Sequence, residues 1–338
     1  MPIIAVDAMG GDHAPVEIVR GIGQVSLATD IECLVVGDEH RIQEVLETVP
    51  YNPERLQVLH AREAIAMDDD PAEAVRTKKD ASLIVGLRAV TEGRAQAFVS
   101  AGNTGACVLA CAKHFTLLPG IRRAALASVY PRQTEHQGQD RFALLVDVGA
   151  TVRCGVEELV QFGLMGSAYA RRISKVPSPR VGLLNMGTEP TKGGEVLVEA
   201  HRRLAAQPSL HFIGNVEGND LVRGAADVIV CEGFVGNVAL KLIEGVGDVF
   251  ADVTRSAAER RLTWRVGLSL LARGMERVRE LTDYTQYGGA PILGFEQLAL
   301  KCHGRSRASA VANAVKVAAK AVRDRVPAEI ADALRTAR

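Results

Sequence analysis

The chain has 338 residues, which is enough for one large α/β domain or two smaller ones. Basic and acidic residues number 40 each and aromatic residues make up 4 %, a composition that argues against wholesale nucleic-acid binding and against stacking platforms for single strands. Six cysteines, none in a CxxC pair, lie mostly in apolar runs and predict a reducing, cytoplasmic compartment. We expect no signal peptide, and no apolar run is long enough to span a bilayer.

Strand-like and helix-like segments alternate along the first half of the chain. The strand-like runs cover residues 3–8, 31–37, 56–61, 95–101, 125–131 and 142–150. The main helix-like stretches cover residues 16–28 with Pro15 at the first turn, 38–49 with Asp38 as a possible N-cap, one or two helices within 67–93, and 155–173.

The second half repeats this alternation after the Pro-Ser-Pro motif at 177–179. Its strand-like runs cover 180–186, 210–216, 226–233 and 298–302, and its helix-like stretches cover 195–206, a long segment from 238 and 309–325. Alternating strands and helices predict an α/β fold, a three-layer and mostly parallel sheet with helices on both faces. With no clear linker or repeat, we predict a single domain over residues 1–338.

Five polar loops rich in glycine follow strand-like runs, and we expect them to meet at one edge of the sheet as a ligand cleft. They lie at 8–13, 100–105, 147–150, 187–194 and 232–237. In the fourth loop Lys192 precedes two glycines and a helix start, a geometry that suits an anion. The alternative is an ordinary strand-to-helix turn with a solvated lysine.

The motifs of several enzyme classes are missing. No GxGxxG follows a strand, and there is no P-loop, HExxH, GxSxG or cysteine–histidine zinc spacing, so no metal site or cofactor is predicted. His13 and His303 lie in glycine loops and are candidate ligand contacts, although lone histidines are more often structural. The acidic run 68–70 is expected to cap a helix rather than to bind Mg²⁺.

The chain contains several long motifs, which are VDAMGGDHAP, MDDDPAEAVRTKKDAS, SAGNTGA, LLNMGTEPTKG, FIGNVEGND, DVIVCEGFVGNVALK and YGGAPILG. Together they resemble the bacterial phosphate acyltransferase family of phospholipid synthesis, acyl-carrier-protein:phosphate transacylase. The resemblance runs from residue 3 to about 320. Two positions depart from the family pattern. Thr151 stands where asparagine is expected, and Arg305 stands where a small residue is frequent.

The resemblance implies a fold similar to phosphotransacetylase and the isocitrate/isopropylmalate dehydrogenases, and a homodimer. It also implies reversible transfer of a long-chain acyl group from the acyl carrier protein to inorganic phosphate. The acyl phosphate product would feed a membrane glycerol-3-phosphate acyltransferase.

By the same resemblance, Lys192 and Asn237 are the catalytic candidates. Phosphate is already a nucleophile, so Lys192 would clamp it and the Asn237 amide would stabilise the oxyanion across the cleft. The alternative for Asn237 is a helix N-cap. The candidate substrate-binding residues are Gly10, Gly11, His13, Asn103, Thr104, Gly105, Gly187, Gly193, Gly236 and His303.

A helical amphipathic segment is predicted at about residues 252–281. Apolar side chains recur there at helical spacing among arginines, and Trp264 is the one tryptophan of the chain. The segment would contact the acidic carrier protein or the membrane surface, or it would pack in a dimer core. Its contact candidates are Arg260, Arg261, Trp264, Arg265, Leu268 and Leu271.

Two other functions stay open from the sequence. One is a nicotinamide-dependent decarboxylating dehydrogenase on the same fold, which would need metal-binding aspartates and a cofactor loop that we cannot assemble. The other is a non-catalytic protein that binds the acyl carrier.

Overall fold

The computed structural model describes residues 1–132, 142–260, 263, 267 and 288–337. The eleven strands of the described residues form one sheet. They are β1 (Ile3–Asp7), β2 (Glu32–Gly37), β3 (Leu56–His60), β4 (Ala97–Ser100), β5 (Ala125–Pro131), β6 (Phe142–Val146), β7 (Arg180–Leu184), β8 (His211–Val216), β9 (Val228–Val230), β10 (Ala290–Leu293) and β11 (Leu298–Lys301).

Helices connect most of these strands. They are α1 (Val16–Ala28), α2 (Glu39–Leu46), α3 (Pro71–Thr77), α4 (Ser82–Thr91), α5 (Thr104–His114), α6 (Val156–Tyr169), α7 (Gly194–Ala205), α8 (Asp220–Arg223), α9 (Gly233–Arg260), α10 (Ala308–Arg323) and α11 (Val326–Thr336).

Local sequence signals explain several helix starts. The side chain of Asp38 accepts a hydrogen bond from Arg41 N at 3.2 Å, which confirms it as the N-cap of α2. Asp70 caps α3 in the same way, with Glu73 N at 2.8 Å. The acidic run therefore begins a helix, as predicted, while its neighbour Asp69 forms an ion pair with Lys78 at 2.5 Å.

Helices cover both faces of the sheet, so the predicted three-layer architecture is confirmed. One apolar core includes residues of α1, α2, α6, α7, α10 and α11. The other includes residues of α3, α4, α5 and the first turns of α9. The long apolar strands are buried on both sides, which is the usual pattern for strands between two helical layers.

The direction of the strands corrects one prediction about the glycine loops. The sheet order is β3-β2-β1-β4-β11-β10-β5-β6-β9-β7-β8. Strand β10 is antiparallel to β11 and to β5, and β5 is antiparallel to β6, so β6, β7, β8 and β9 run opposite to β1–β5 and β11. The expectation that all five loops share one edge is therefore wrong. The loops after β1 and β4 lie at one edge, and those after β6, β7 and β9 lie at the other.

Candidate active site

A cleft of about 320 Å³ lies along β5 and β11, on the face of the sheet that α9 partly covers. Its apolar lining includes side chains of β5 and α9, among them Leu126, Tyr130 and Leu240. Polar side chains lie around this apolar floor and come from both sheet edges. They include Asp12, Thr104, Asn237, Lys241, Glu244, Lys301, His303 and Ser306, and β5 adds Ser128. The cleft therefore joins the two groups of loops although the sheet separates their strand ends.

Asn237 lies in the second turn of α9 and lines the cleft. Because α9 already begins at Gly233, the alternative that Asn237 is an N-cap is wrong. One N–H of the Asn237 amide donates to Val148 O at 3.0 Å, which fixes the side chain against the loop after β6. Asn237, Lys241 and Glu244 stand at i, i+4 and i+7, so α9 presents all three on one face toward the cleft.

The carboxylate of Asp147 organises the loop on which Asn237 rests. Asp147 is fully buried. Its oxygens accept hydrogen bonds from the backbone N–H groups of Leu126, Gly149, Ala150 and Thr151 and from the Thr151 hydroxyl, at 2.8–3.1 Å. The hydroxyl at position 151 thus completes an internal network.

Gly236 belongs to the same close-packed junction. A Cβ at Gly236 would lie 1.9 Å from Asp147 O, a distance that excludes any side chain. The glycine is therefore explained by the approach of α9 to this loop.

Lys192 lies at the same sheet edge as Asn237, because β7 and β9 are neighbouring parallel strands. Its side chain is exposed and is not among the residues that line the cleft. The loop itself is held by Asn185, whose Nδ2 donates to Lys192 O at 3.0 Å. Gly193 has φ +93°, a left-handed conformation that favours glycine just before α7. Gly187 packs beside the Lys192 side chain, since a Cβ there would lie 3.2 Å from Lys192 Cγ.

The other end of the cleft holds a charged cluster that the sequence did not predict, apart from His303. Lys241 Nζ donates to Glu244 Oε2 at 2.7 Å and lies 3.2 Å from His303 Nε2. Burial raises the pKa of Glu244, but hydrogen bonds with His303 and Lys241 outweigh it, so the pKa lies below its usual value. Lys301 is the last residue of β11, lines the same end of the cleft and is 5 % exposed.

Comparison with known proteins decides the family. The model of the fatty acid synthesis protein family matches residues 3–329. A phosphate acyltransferase of Dictyoglomus turgidum is 40 % identical over 98 % of this chain and 97 % of its own length. One of Heliobacterium modesticaldum is 44 % identical over 97 % of this chain and 96 % of its own. The chain belongs to the phosphate acyltransferase family.

A solved structure supports the predicted fold of this phosphate acyltransferase family member. A phosphotransacetylase from Streptococcus pyogenes superposes with a TM-score of 0.64 at 15 % identity, over 95 % of this chain and 94 % of that one. The predicted similarity to the phosphotransacetylase fold is thereby confirmed.

Asn103 and Thr104, two predicted substrate contacts, lie at the start of α5. Asn103 caps α5 by accepting from Ala106 N at 3.1 Å, and its Nδ2 donates to Met67 O and Asp69 O, each at 3.1 Å. Both amide hydrogens of Asn103 therefore bind carbonyl groups within the protein. Thr104, the next residue, lines the cleft.

The glycines at the β1 and β4 loops permit close backbone approach. A Cβ at Gly10 would lie 2.4 Å from Asp7 Oδ2, and one at Gly11 would lie 3.1 Å from Ala101 Cβ. A Cβ at Gly105 would lie 2.8 Å from a carbon of Pro71. His303 lines the cleft, whereas His13 does not. The packing explains these glycines without a ligand.

Part of the predicted amphipathic segment lies outside the described residues. Arg261, Trp264, Arg265, Leu268 and Leu271 fall there, and Arg260 is the last residue of α9. Across the ranges given above, no helix is both long and apolar enough to cross a bilayer. The same ranges contain no group of His, Cys, Asp or Glu side chains suited to a metal ion.

Sequence reasoning missed Lys241, Glu244 and Lys301, which line the cleft. It placed Asp147 in a predicted ligand loop but did not predict its structural role. Lys241 and Glu244 follow Asn237 at helical spacing on α9. Lys301 and Asp147 each stand at the end of an apolar strand, a position where the sequence alone does not distinguish a solvated charge from a buried one.

Proposed function

We propose that the protein transfers a long-chain acyl group reversibly from the thioester of an acyl carrier protein to inorganic phosphate, giving acyl phosphate for phospholipid synthesis. The supporting observation is the cleft, in which an apolar floor is bordered by an amide at one end and cations at the other. Such a cleft suits an acyl thioester, a substrate that is apolar along its chain and polar at its reacting group.

The reaction needs no nucleophile from the protein. A phosphate oxygen attacks the thioester carbon, and the resulting oxyanion collapses with loss of the carrier's thiolate. We assign Lys192 to the phosphate, which it would meet from the loop beside Asn237. We assign the second N–H of the Asn237 amide to the oxyanion, since the first is held by Val148 O.

The deciding experiment incubates the purified protein with acyl carrier protein loaded with a long acyl chain and with inorganic phosphate. We expect thioester loss that requires phosphate and that is matched by hydroxylamine-reactive acyl phosphate. Binding of the carrier without phosphate-dependent loss of thioester would favour the non-catalytic alternative. A rise in absorbance at 340 nm with a nicotinamide cofactor would favour the dehydrogenase.

A homodimer is part of the proposal, because α9 carries apolar side chains on two faces. Its Leu240 and Ile243 pack against the sheet. A second row points to solvent and comprises Val238, Leu242, Val246, Val249 and Val253, with Leu242 66 % exposed. Exposed apolar rows of this length usually meet a partner, and we assign this one to a second copy of the chain.

Charge placed in that row should separate the subunits. We expect Leu242→Glu with Val249→Glu to be monomeric by light scattering at a concentration where the wild type is dimeric, because carboxylates would be desolvated at the interface. Val222→Glu, at an exposed apolar site on α8, is the matched control and should stay dimeric. A wild-type monomer, or a dimeric double variant, would refute the assignment.

The amphipathic segment at about 252–281 is proposed to contact the acidic carrier or the inner face of the cell membrane, from which acyl phosphate would pass to a membrane glycerol-3-phosphate acyltransferase. The protein would then be cytoplasmic and peripheral. Flotation with anionic liposomes tests the membrane contact. Wild type should float, and the double variant Trp264→Ala/Leu268→Glu should not.

A further inference from the structure

Lys301 is a buried cation without a carboxylate partner among the described residues. Its Nζ donates to the carbonyl of Cys302, and the side chain lines the cleft. An isolated ammonium is costly to bury, so native proteins usually pair it with an anion. A lysine with spare donors at a ligand-sized cleft therefore points to an anion from outside the chain.

The nearest acidic neighbour along the sheet does not supply that anion. Register places Asp7 opposite Ser100 and Ser100 opposite Lys301, so Ser100 stands between the two charges. The Asp7 carboxylate is occupied by Ser82 Oγ at 2.6 Å, by Ser100 Oγ at 2.7 Å and by two backbone N–H groups. Burial is the main cause that raises the pKa of Asp7, which further weakens it as a counter-ion.

The other charges around this end of the cleft leave a positive excess near Lys301. Lys241 is offset by Glu244 at 2.7 Å, and Asp12 is an exposed rim residue. Burial is the main cause that lowers the pKa of Lys301. The neighbouring Cys107, Cys302 and Asp7 oppose it in part, and the Lys241 charge adds a smaller lowering effect. A bound anion would stabilise the buried ammonium of Lys301 in this cavity.

We propose that the Lys301 end of the cleft is a binding site for a phosphate group. This inference rests on the proposed function, because two phosphate sources are then present. One is free inorganic phosphate, and the other is the phosphate at the end of the carrier's phosphopantetheine arm. Glu244 lies about 10 Å along α9 from Asn237, so an arm lying beneath the helix would carry its thioester toward Asn237. The arm is the source that this arrangement favours.

Titration calorimetry with 4′-phosphopantetheine, pantetheine and inorganic phosphate tests the site and distinguishes its source. We expect wild type to bind phosphopantetheine at least tenfold more tightly than pantetheine, and Lys301→Met to lose that difference while its affinity for pantetheine stays unchanged. Lys316→Met removes an exposed lysine of α10 that does not line the cleft, and it should keep the tenfold preference.

The outcomes separate this site from the proposed reaction. Phosphate binding that is lost in Lys301→Met, without a preference for phosphopantetheine, supports the site and assigns it to free phosphate. Equal affinity for phosphopantetheine and pantetheine, together with no Lys301-dependent phosphate binding, overturns it. The proposed reaction is judged separately by acyl phosphate formation in the wild type.

Thermal unfolding shows whether the Lys301→Met variant is still stably folded. Methionine is close to an apolar isostere of lysine, so Lys301→Met should melt at or above the wild-type temperature if the amine serves a ligand. A large drop in melting temperature together with unchanged ligand preference would make the amine a structural group and refute the proposal.

Discussion

Replacing Lys192 with alanine is expected to lower turnover by about 10²-fold, the scale for loss of one preorganised group that stabilises charge in the transition state. The change removes the cation at the loop before α7, where Gly193 precedes the helix start. The N-terminus of a helix favours an anion. Steady-state rates of acyl phosphate formation, measured over a range of phosphate concentrations, check the result.

The separate effects on kcat and KM distinguish a role of Lys192 in the reaction from a role in phosphate binding alone. If Lys192 acts on the reacting phosphate, kcat falls with kcat/KM, whereas a lysine that only attracts phosphate raises KM and leaves kcat intact. Lys316→Ala is the matched control, since it removes an exposed lysine from α10 and should turn over like wild type. Turnover of Lys192→Ala within twofold of wild type would refute the assignment.

The layers of the fold could be predicted from periodicity, but the direction of the strands could not. Apolar runs and helix caps such as Asp38 and Asp70 carry local information, and the structure confirms them. Strand direction depends on long-range pairing. The pairing of β10 with β5 joins segments that are far apart in the chain. The antiparallel pair of β10 and β11 is local, but the sequence does not predict β10 as a strand.

For the candidate site as well, local motifs predicted which residues take part but not how they pack. Motifs indicated Thr104, Asn237 and His303, and all three line the cleft. The roles of the loop residues depended on packing that a sequence does not display. The sequence motif suggests Asn103 as a ligand contact, but only the structure shows that its amide donates hydrogen bonds to Met67 O and Asp69 O.

Lys301 is a cleft residue that the sequence did not indicate. It stands in a short apolar segment without a recognisable motif, and its significance comes only from burial without a carboxylate partner in the described part of the chain. A charged residue at the end of a strand is ambiguous in sequence, because such positions are often solvated.

Replacing Asp227 with asparagine should lower the free energy of unfolding by about 3–5 kcal/mol, the scale for removing one partner of a buried ion pair. Asp227 lies between two arginines. Arg132 Nη2 is 2.6 Å from Oδ1, and Arg180 Nε is 3.2 Å from Oδ2. The buried Arg132 would lose this ion pair, and the neutral asparagine amide cannot replace the charge of the carboxylate. Urea unfolding at pH 7 and fixed protein concentration measures it.

The pH dependence of that stability identifies the carboxylate as the cause. Burial raises the pKa of Asp227, but hydrogen bonds from Arg180 and the charges of Arg132 and Arg180 outweigh it, so the folded pKa lies below the usual value. The unfolded chain then binds the proton more readily, and the contribution is complete above about pH 4 and lost as the pH falls through the folded pKa. The difference in the free energy of unfolding between wild type and Asp227→Asn should therefore become smaller in acid.

Glu199→Gln is the control. It weakens exposed ion pairs with Arg202 and Arg203 and should change the free energy of unfolding at pH 7 far less. Equal losses in the two variants would mean that burial of the Asp227 pair contributes nothing to stability.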